Sequence, residues 1–329
     1  LSLHDALPIF SLGTTKKGLP VLYVKNNTND LFVLSMRYNF GKESNKWLSV
    51  AKDYLDYLGT NKMTAEQLKQ EYYKLACDYT ISVSNDEINV SLSGLSENMA
   101  KAVALTDNFM QNAKVDKEAY NLWVESELKA RQDNKKNQES NFRTLTAYGI
   151  YGDYNSRRNN PSSEELKSCN PQQLTDLIKS LNGYKHELLY YGPMELNQFT
   201  AAIDKCHKTP KTLNNVPEGK PYTKQLTQKN EILIAPYKAK NIYMTQYHNG
   251  GKQYDPKNAP LNAMFNEYFG GGMNTVVFQE LREARGLAYS AWAGYYTPEK
   301  KNEPEYFCTN IISQNYKMMD CVRTFNSIM

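Results

Sequence analysis

Residues 268–296 read YFGGGMNTVVFQELREARGLAYSAWAGYY, and this stretch decides how the chain folds. Gly270, Gly271 and Gly272 punctuate it, because a backbone without Cβ atoms turns easily. Asn274 offers an N-cap to a helix over TVVFQELREA, on which Val277, Phe278 and Leu281 share an apolar face. Arg282 and Arg285 fall in the last turn of that helix, where positive charge offsets the C-terminal dipole, and Gly286 supplies a left-handed cap. Beyond it, LAYSAWAGYY alternates as a strand does. Turn, helix, cap and strand in one short run predict a sheet backed by helices. They also bring Arg282 and Tyr289 to the two sides of a single turn. A guanidinium there can donate a planar fork to a carboxylate or carbonyl, and a phenol can donate one hydrogen bond to a developing oxyanion. The glycines ahead of an N-cap also suit an anion. The Lys-Ser/Thr of a phosphate loop and the G-x-G-x-x-G pattern are both missing, so a tight turn with close backbone approach is the reading kept.

Working outward, the C-terminal part runs strand EILIAPY, strand NIYMTQYH, helix PLNAMFNEYF and then the glycine turn. The N-terminal part opens in the same order. KKGLPVLYVK and DLFVLSMRYNF read as neighbouring strands joined at NNTN, followed by a helix over NKWLSVAKDYLDYLGT that ends at Gly59. Thr64 and Gln67 form a capping box, YTISVSNDEINVSLSG is a hairpin turning at Asn85 and Asp86, and Ser96 caps the helix that follows. Helices over DKEAYNLWVESELKARQDNKKN and PQQLTDLIKSL, then the apolar strand HELLYYG, complete this part. Residues 206–230, with three prolines and almost no large apolar side chains, mark a linker. The expected division is a leader over 1–14, one domain over 15–205, the linker, and a second domain over 231–329. The opening LSLHDALPIF resembles translated sequencing-adapter read-through, so His4 is given no functional weight, and CVRTFNSIM reads as a helix cut in mid-course.

With 329 residues, 40% of them hydrophobic, the chain has material for about two cores. A net charge of +4, from 39 basic and 35 acidic residues, makes no strong case for nucleic acid or an anionic membrane. Five cysteines without a CxxC pair fit neither a zinc ribbon nor a disulfide framework. No apolar run is long enough to span a bilayer. None of the four histidines lies in HExxH or HxxEH, and His186 is expected at a strand edge, with no metal held by this chain.

FGGGMNTVVFQELREARGLAYSA resembles the signature of the pitrilysin/insulinase family of zinc metallopeptidases, the inverzincins, and residues 17–205 resemble a preceding domain of the same repeat. The resemblance implies an α+β fold of two related sheet-plus-helix domains, of the pitrilysin/LuxS-metallohydrolase-like type, with the second incomplete. The family's active repeat carries H-x-x-E-H shortly before a Gly-Thr. Here Gly59-Thr60 and TAEQ match, which puts Val50, Asp53 and Tyr54 where two histidines and a glutamate belong, with Glu125 or Glu127 near the third ligand. Both imidazole positions are lost. The resemblance therefore implies the non-zinc C-terminal half of a metalloendopeptidase, with zinc and a zinc-bearing N-terminal half as cofactor and partner and a peptide as substrate. Arg282 and Tyr289 would bind that peptide and stabilise the oxyanion. The alternative is an inactive homologue acting as an interaction or assembly subunit.

Overall fold

The structure, a computed structural model, describes residues 10–298 and 303–329. In chain order the strands are β1 (Ser11–Thr14), β2 (Pro20–Lys25), β3 (Leu31–Tyr38), β4 (Cys77–Val83), β5 (Ile88–Leu95), β6 (Glu187–Gly192), β7 (Asn241–His248), β8 (Ala288–Tyr296) and β9 (Tyr306–Gln314). The α-helices are α1 (Trp47–Leu55), α2 (Ala65–Lys74), α3 (Met99–Asn112), α4 (Lys117–Lys135), α5 (Gln138–Tyr151), α6 (Ser163–Ser168), α7 (Pro171–Ser180), α8 (Leu196–Cys206), α9 (Ala259–Phe269), α10 (Val276–Phe278) and α11 (Met318–Ile328). They form two compact units. The first runs to Ala130 and resumes over Asn159–Pro221; the second comprises Arg131–Arg158 and Tyr222–Met329. The division thus falls inside the stretch read as a linker, and α5 joins the second unit although it precedes that stretch. His4 and most of the expected leader lie outside the described residues. Ser11–Thr14, within that stretch, is a strand paired with β2.

In the first unit six strands lie in the order β1-β2-β6-β3-β5-β4. β2 and β3 are therefore not neighbours, as their closeness in sequence suggested. β6 enters between them, parallel to β2 and antiparallel to β3. Its residues explain the choice: Leu188 and Tyr190 are fully buried, as suits a central strand. Alternate residues of β3, namely Phe32, Leu34, Met36 and Tyr38, point into the core with Ile88, Val90 and Leu92 of β5. Helices α1, α3 and α7 cover that face through Tyr54, Phe109, Leu174 and Ile178. The Thr64 capping box forms as read: its hydroxyl accepts from the Gln67 N–H (3.1 Å) and Gln67 Oε1 accepts from the Thr64 N–H (2.9 Å). Ser96 makes no such cap. It begins a 3-10 turn, Ser96–Asn98, that leads into α3, and its own N–H bonds to the Asp30 carbonyl.

The second unit has a three-stranded antiparallel sheet, β7-β9-β8. Phe269, Val277, Leu281, Ile311, Met318, Cys321 and Phe325 build its core, the last three from one face of α11 at helical spacing. Residues 231–237, read as a strand, form none: Ile232 and Ile234 are exposed and no ladder includes them. A strand is stabilised by its neighbour, and this segment lacks one. The five cysteines are all free thiols, and among the described residues no helix is long and apolar enough to cross a membrane.

Candidate functional site

The glycine turn is set by close approach. The Gly270 and Gly271 N–H groups both bond to the Asn266 carbonyl as α9 ends. A Cβ on Gly270 would stand 2.6 Å from the Ala293 nitrogen of β8, closer than atoms pack, so only glycine lets the helix end against the strand. Asn266 completes the joint: its Oδ1 accepts from the Tyr295 N–H and its Nδ2 donates to the Tyr295 carbonyl. Gly272 borders open space and supplies an acceptor, its carbonyl taking the Thr275 hydroxyl (2.6 Å). Asn274 is exposed and is not the N-cap; Thr275 holds that position, without a side-chain capping bond. Its hydroxyl is directed back to Gly272 instead.

The helix that follows departs from the sequence reading. Only Val276–Phe278 is α-helical; Gln279–Glu283 is a π turn, with the Ala284 N–H reaching the Gln279 carbonyl. A π turn costs hydrogen-bond geometry and re-aims side chains, and it recurs at functional sites. Here it carries Arg282. Gly286 has φ +57°, and the Leu287 N–H returns to the Leu281 carbonyl, closing the turn as a Schellman-type cap. The Lys317 ammonium donates to the Gly286 carbonyl (2.9 Å), a contact no local pattern announced.

Tyr289 lies just beyond. The β8–β9 register shifts between Ala288 and Ser290, which pair with Ser313 and Ile312, leaving Tyr289 as the extra residue of a β-bulge. A bulge turns its side chain away from the regular alternation, and Tyr289 is 75% exposed on an edge strand. The Arg282 guanidinium carbon lies 4.8 Å from the Phe278 ring centre, and its nearest carboxylate is Glu283 at 3.7 Å. Arg285 is instead paired with Glu280 at 3.1 Å. No hydrogen bond joins Arg282 to Tyr289. They occupy opposite arms of the turn, both exposed, with donor groups unspent on strong internal partners.

The positions matched to a zinc site have another character. Val50 is buried and has no donor atom. Tyr54 is fully buried; its hydroxyl donates to the Asp116 carbonyl (2.7 Å) and accepts from the Asp116 N–H (2.9 Å). Asp53 is half exposed, and Lys52 bridges it to Asp56 at 3.3 and 3.0 Å. Burial raises the Asp53 carboxyl pKa, opposed by Lys52 and helped by Asp56 and Glu127. Two carboxylates, Asp53 and Glu127, do not make the three ligands a catalytic zinc needs. These residues do not fit the metal.

His186 is not at a strand edge in the exposed sense. It is buried directly before β6, and its Nδ1–H donates to the Tyr184 carbonyl (2.8 Å). Its Nε2 is thereby left to accept from the His207 Nε2–H (3.1 Å), while His207 Nδ1 lies in hydrogen-bond contact with the Asp107 carboxylate (2.9 Å). The Lys208 N–H also bonds to that carboxylate (2.7 Å). Sequence reading missed this chain because its members come from α3, the start of β6 and the end of α8.

Residues 169–329 match the family model described as the peptidase M16 inactive domain. No curated protein sequence matches the chain. Among solved structures, the peptidase M16 inactive domain from Pseudomonas fluorescens superposes with a TM-score of 0.74 at 16% identity, over 97% of this chain and 79% of that one. The periplasmic protease PqqL from Escherichia coli gives 0.79 at 13% identity, over 97% of this chain. The ferredoxin protease FusC, solved in complex with Arabidopsis ferredoxin, gives 0.79 at 12% identity, over 99%. The chain spans only 36% of the length of each of those two proteases. Its α+β fold is that of pitrilysin-like peptidases, and residues 169–329 match the inactive domain of peptidase M16.

Proposed function

We propose that this chain is the C-terminal, non-zinc half of a pitrilysin-like zinc metalloendopeptidase, presenting Arg282 and Tyr289 to a peptide held at a zinc site in an N-terminal half. The observation that carries the reading is the pair of backbone irregularities: a π turn under Arg282 and a bulge under Tyr289, on either side of one glycine cap. Each irregularity gives up regular hydrogen bonds and leaves a donor exposed, and such irregularities recur beside functional sites. Tyr289 donates one O–H to the carbonyl oxygen as it gains charge. Arg282 presents its N–H fork to a neighbouring backbone carbonyl or a carboxylate of the substrate. Zinc chemistry is assigned to the other half, a reading supported by the lack of a ligand pair at Val50 and Tyr54. FusC, a protease of this fold solved with a protein bound, supports a polypeptide as the substrate class.

The test is cleavage of a fluorogenic peptide by the full-length protein. Loss of one oxyanion donor costs about 10²–10³ in kcat, so Tyr289→Phe is expected to fall in that range, with Arg282→Ala chiefly raising KM. Unchanged kcat and KM in both variants would remove the pair from the reaction.

A further inference from the structure

The corner between Arg282 and Tyr289 is held by groups from outside it. Four backbone polar groups meet there, on Gly286 and Leu287, and each has a partner. The two N–H groups are satisfied within the turn: Gly286 donates to the Arg282 carbonyl (3.0 Å) and Leu287 to the Leu281 carbonyl (2.8 Å). The two carbonyls are not. Gly286 accepts from the Lys317 ammonium (2.9 Å), and Leu287 accepts from the Ser313 hydroxyl (2.6 Å). Lys317 closes the 3-10 turn Asn315–Lys317 ahead of α11, and Ser313 lies near the end of β9. One connection thus delivers both donors, from 31 and 26 residues farther along the chain.

Packing does not fix this corner. A Cβ built on Gly286 would meet no atom within 4 Å, so its left-handed backbone (φ +57°) borders open space. Glycine has the widest choice of backbone angles, and here hydrogen bonds are what restrict it. Ser313 restrains the other side. It is buried and pairs with Ala288 in the β8–β9 ladder, and the next pair, Ser290 with Ile312, leaves Tyr289 out. Ser313 therefore holds residues 287 and 288 immediately before the bulge. Arg282 rests on the Phe278 ring and Tyr289 points to solvent, so the spacing of the two is set by the corner that joins them.

We propose that Lys317 and Ser313 are positioning residues for the Arg282–Tyr289 pair, a clamp on the Gly286 and Leu287 carbonyls that fixes where guanidinium and phenol stand. Its bearing on catalysis rests on the function proposed above; the hold on the corner does not. Ser313, 1% exposed, is out of reach of a peptide, so it acts through the backbone it holds. A lysine beside a helix C-terminus also offsets the helix dipole. That effect would change stability alone. A clamp changes rate, because misplacing a reacting group by about 1 Å costs about 10²-fold.

Two measurements test the clamp. The first is amide hydrogen exchange on the 329-residue chain. In Lys317→Met the Gly286 and Leu287 amides should exchange about 10-fold faster, a local opening, while the amides of β9 keep their rates. Lys317→Arg keeps a donor and should restore the slow exchange. Ser313→Ala, which removes the other donor, should speed the Leu287 amide, and it carries the comparison if Lys317→Met fails to fold. Unchanged Gly286 and Leu287 rates overturn the clamp. The second is peptide cleavage by the full-length protein. Lys317→Met should lower kcat about 10-fold with KM within about two-fold, and Lys317→Arg should recover most of the loss. On an Arg282→Ala, Tyr289→Phe background, Lys317→Met should cost less than about two-fold, because its effect passes through the pair. A full loss on that background, or a KM raised only for acidic peptides, would make Lys317 a substrate contact and overturn the positioning role. A lower melting temperature with unchanged kcat would reduce it to a dipole effect and overturn it too. If Arg282→Ala and Tyr289→Phe are themselves silent, the function proposed above falls, and the exchange rates alone decide whether the clamp stands.

Discussion

Lowering the pH should weaken the first unit through one side chain, His186. Burial brings its pKa from the ordinary 6.5 down to about 4, helped by His207 and opposed by the Tyr184 carbonyl and Asp107. The geometry agrees. His186 already donates from Nδ1, so a second proton must enter at Nε2, where it would face the N–H of His207 at 3.1 Å. The folded pKa lies below the unfolded one, so the unfolded chain binds the extra proton first. Stability from this group is complete above about pH 6.5 and is lost as the pH falls toward 4. At 1.36 kcal/mol per unit the full loss is about 3 kcal/mol, most of it gone by pH 4.5. Urea unfolding followed at pH 7.5 and 4.5 measures it. His186→Gln keeps an acceptor toward His207 and does not titrate, so its stability difference between the two pH values should be smaller by about 2.5 kcal/mol. Equal differences in the wild type and the variant would refute the assignment of donors and acceptors in the Asp107–His207–His186 chain.

Gly270→Ala should destabilise the second unit by about 1–3 kcal/mol or more, because the new methyl meets Ala293 backbone that cannot swing aside; thermal unfolding of the chain reads it, and a neutral result would contradict the close approach. Tyr54→Phe strands the Asp116 N–H and C=O together and should cost about 1–3 kcal/mol, whereas no loss would mean that water replaces the hydroxyl. Dialysed against zinc, the chain should retain no stoichiometric metal by elemental analysis, since Val50 and Tyr54 offer no open ligand pair; retention would put the matched positions, or other ligands, back in play.

Much of this molecule was legible because its cues are local. The Thr64–Gln67 box, the hairpin at Asn85–Asp86, and the Gly286 cap each follow from residues within a few positions of one another. What escaped reading is long-range or irregular. The insertion of β6 between β2 and β3 depends on strands more than 140 residues apart, as the Arg37–Glu187 pairing at |i−j| of 150 shows. Its one sequence hint was a strand apolar on both faces, which marks a central place without saying between which neighbours. The EILIAPY segment has strand residues but no strand partner, and periodicity cannot report a missing partner. At the candidate site the identities Arg282 and Tyr289 came from spacing and resemblance, while the π turn and the bulge that expose them did not. Both are register slips of one residue, and no residue in LREARGLAY requires either.

As proposed, this chain would complete a zinc site held by a separate half. The most direct measurement is peptide cleavage by a separately produced zinc-bearing half from the same reading frame, with and without the 329-residue chain. Neither part alone should cleave, mixing should give zinc-dependent cleavage, and kcat should fall by about 10²–10³ when the added chain carries Tyr289→Phe. Zinc-dependent cleavage by this chain alone, or binding of the two parts with no gain of activity, would contradict it; the second outcome would make the chain an assembly subunit.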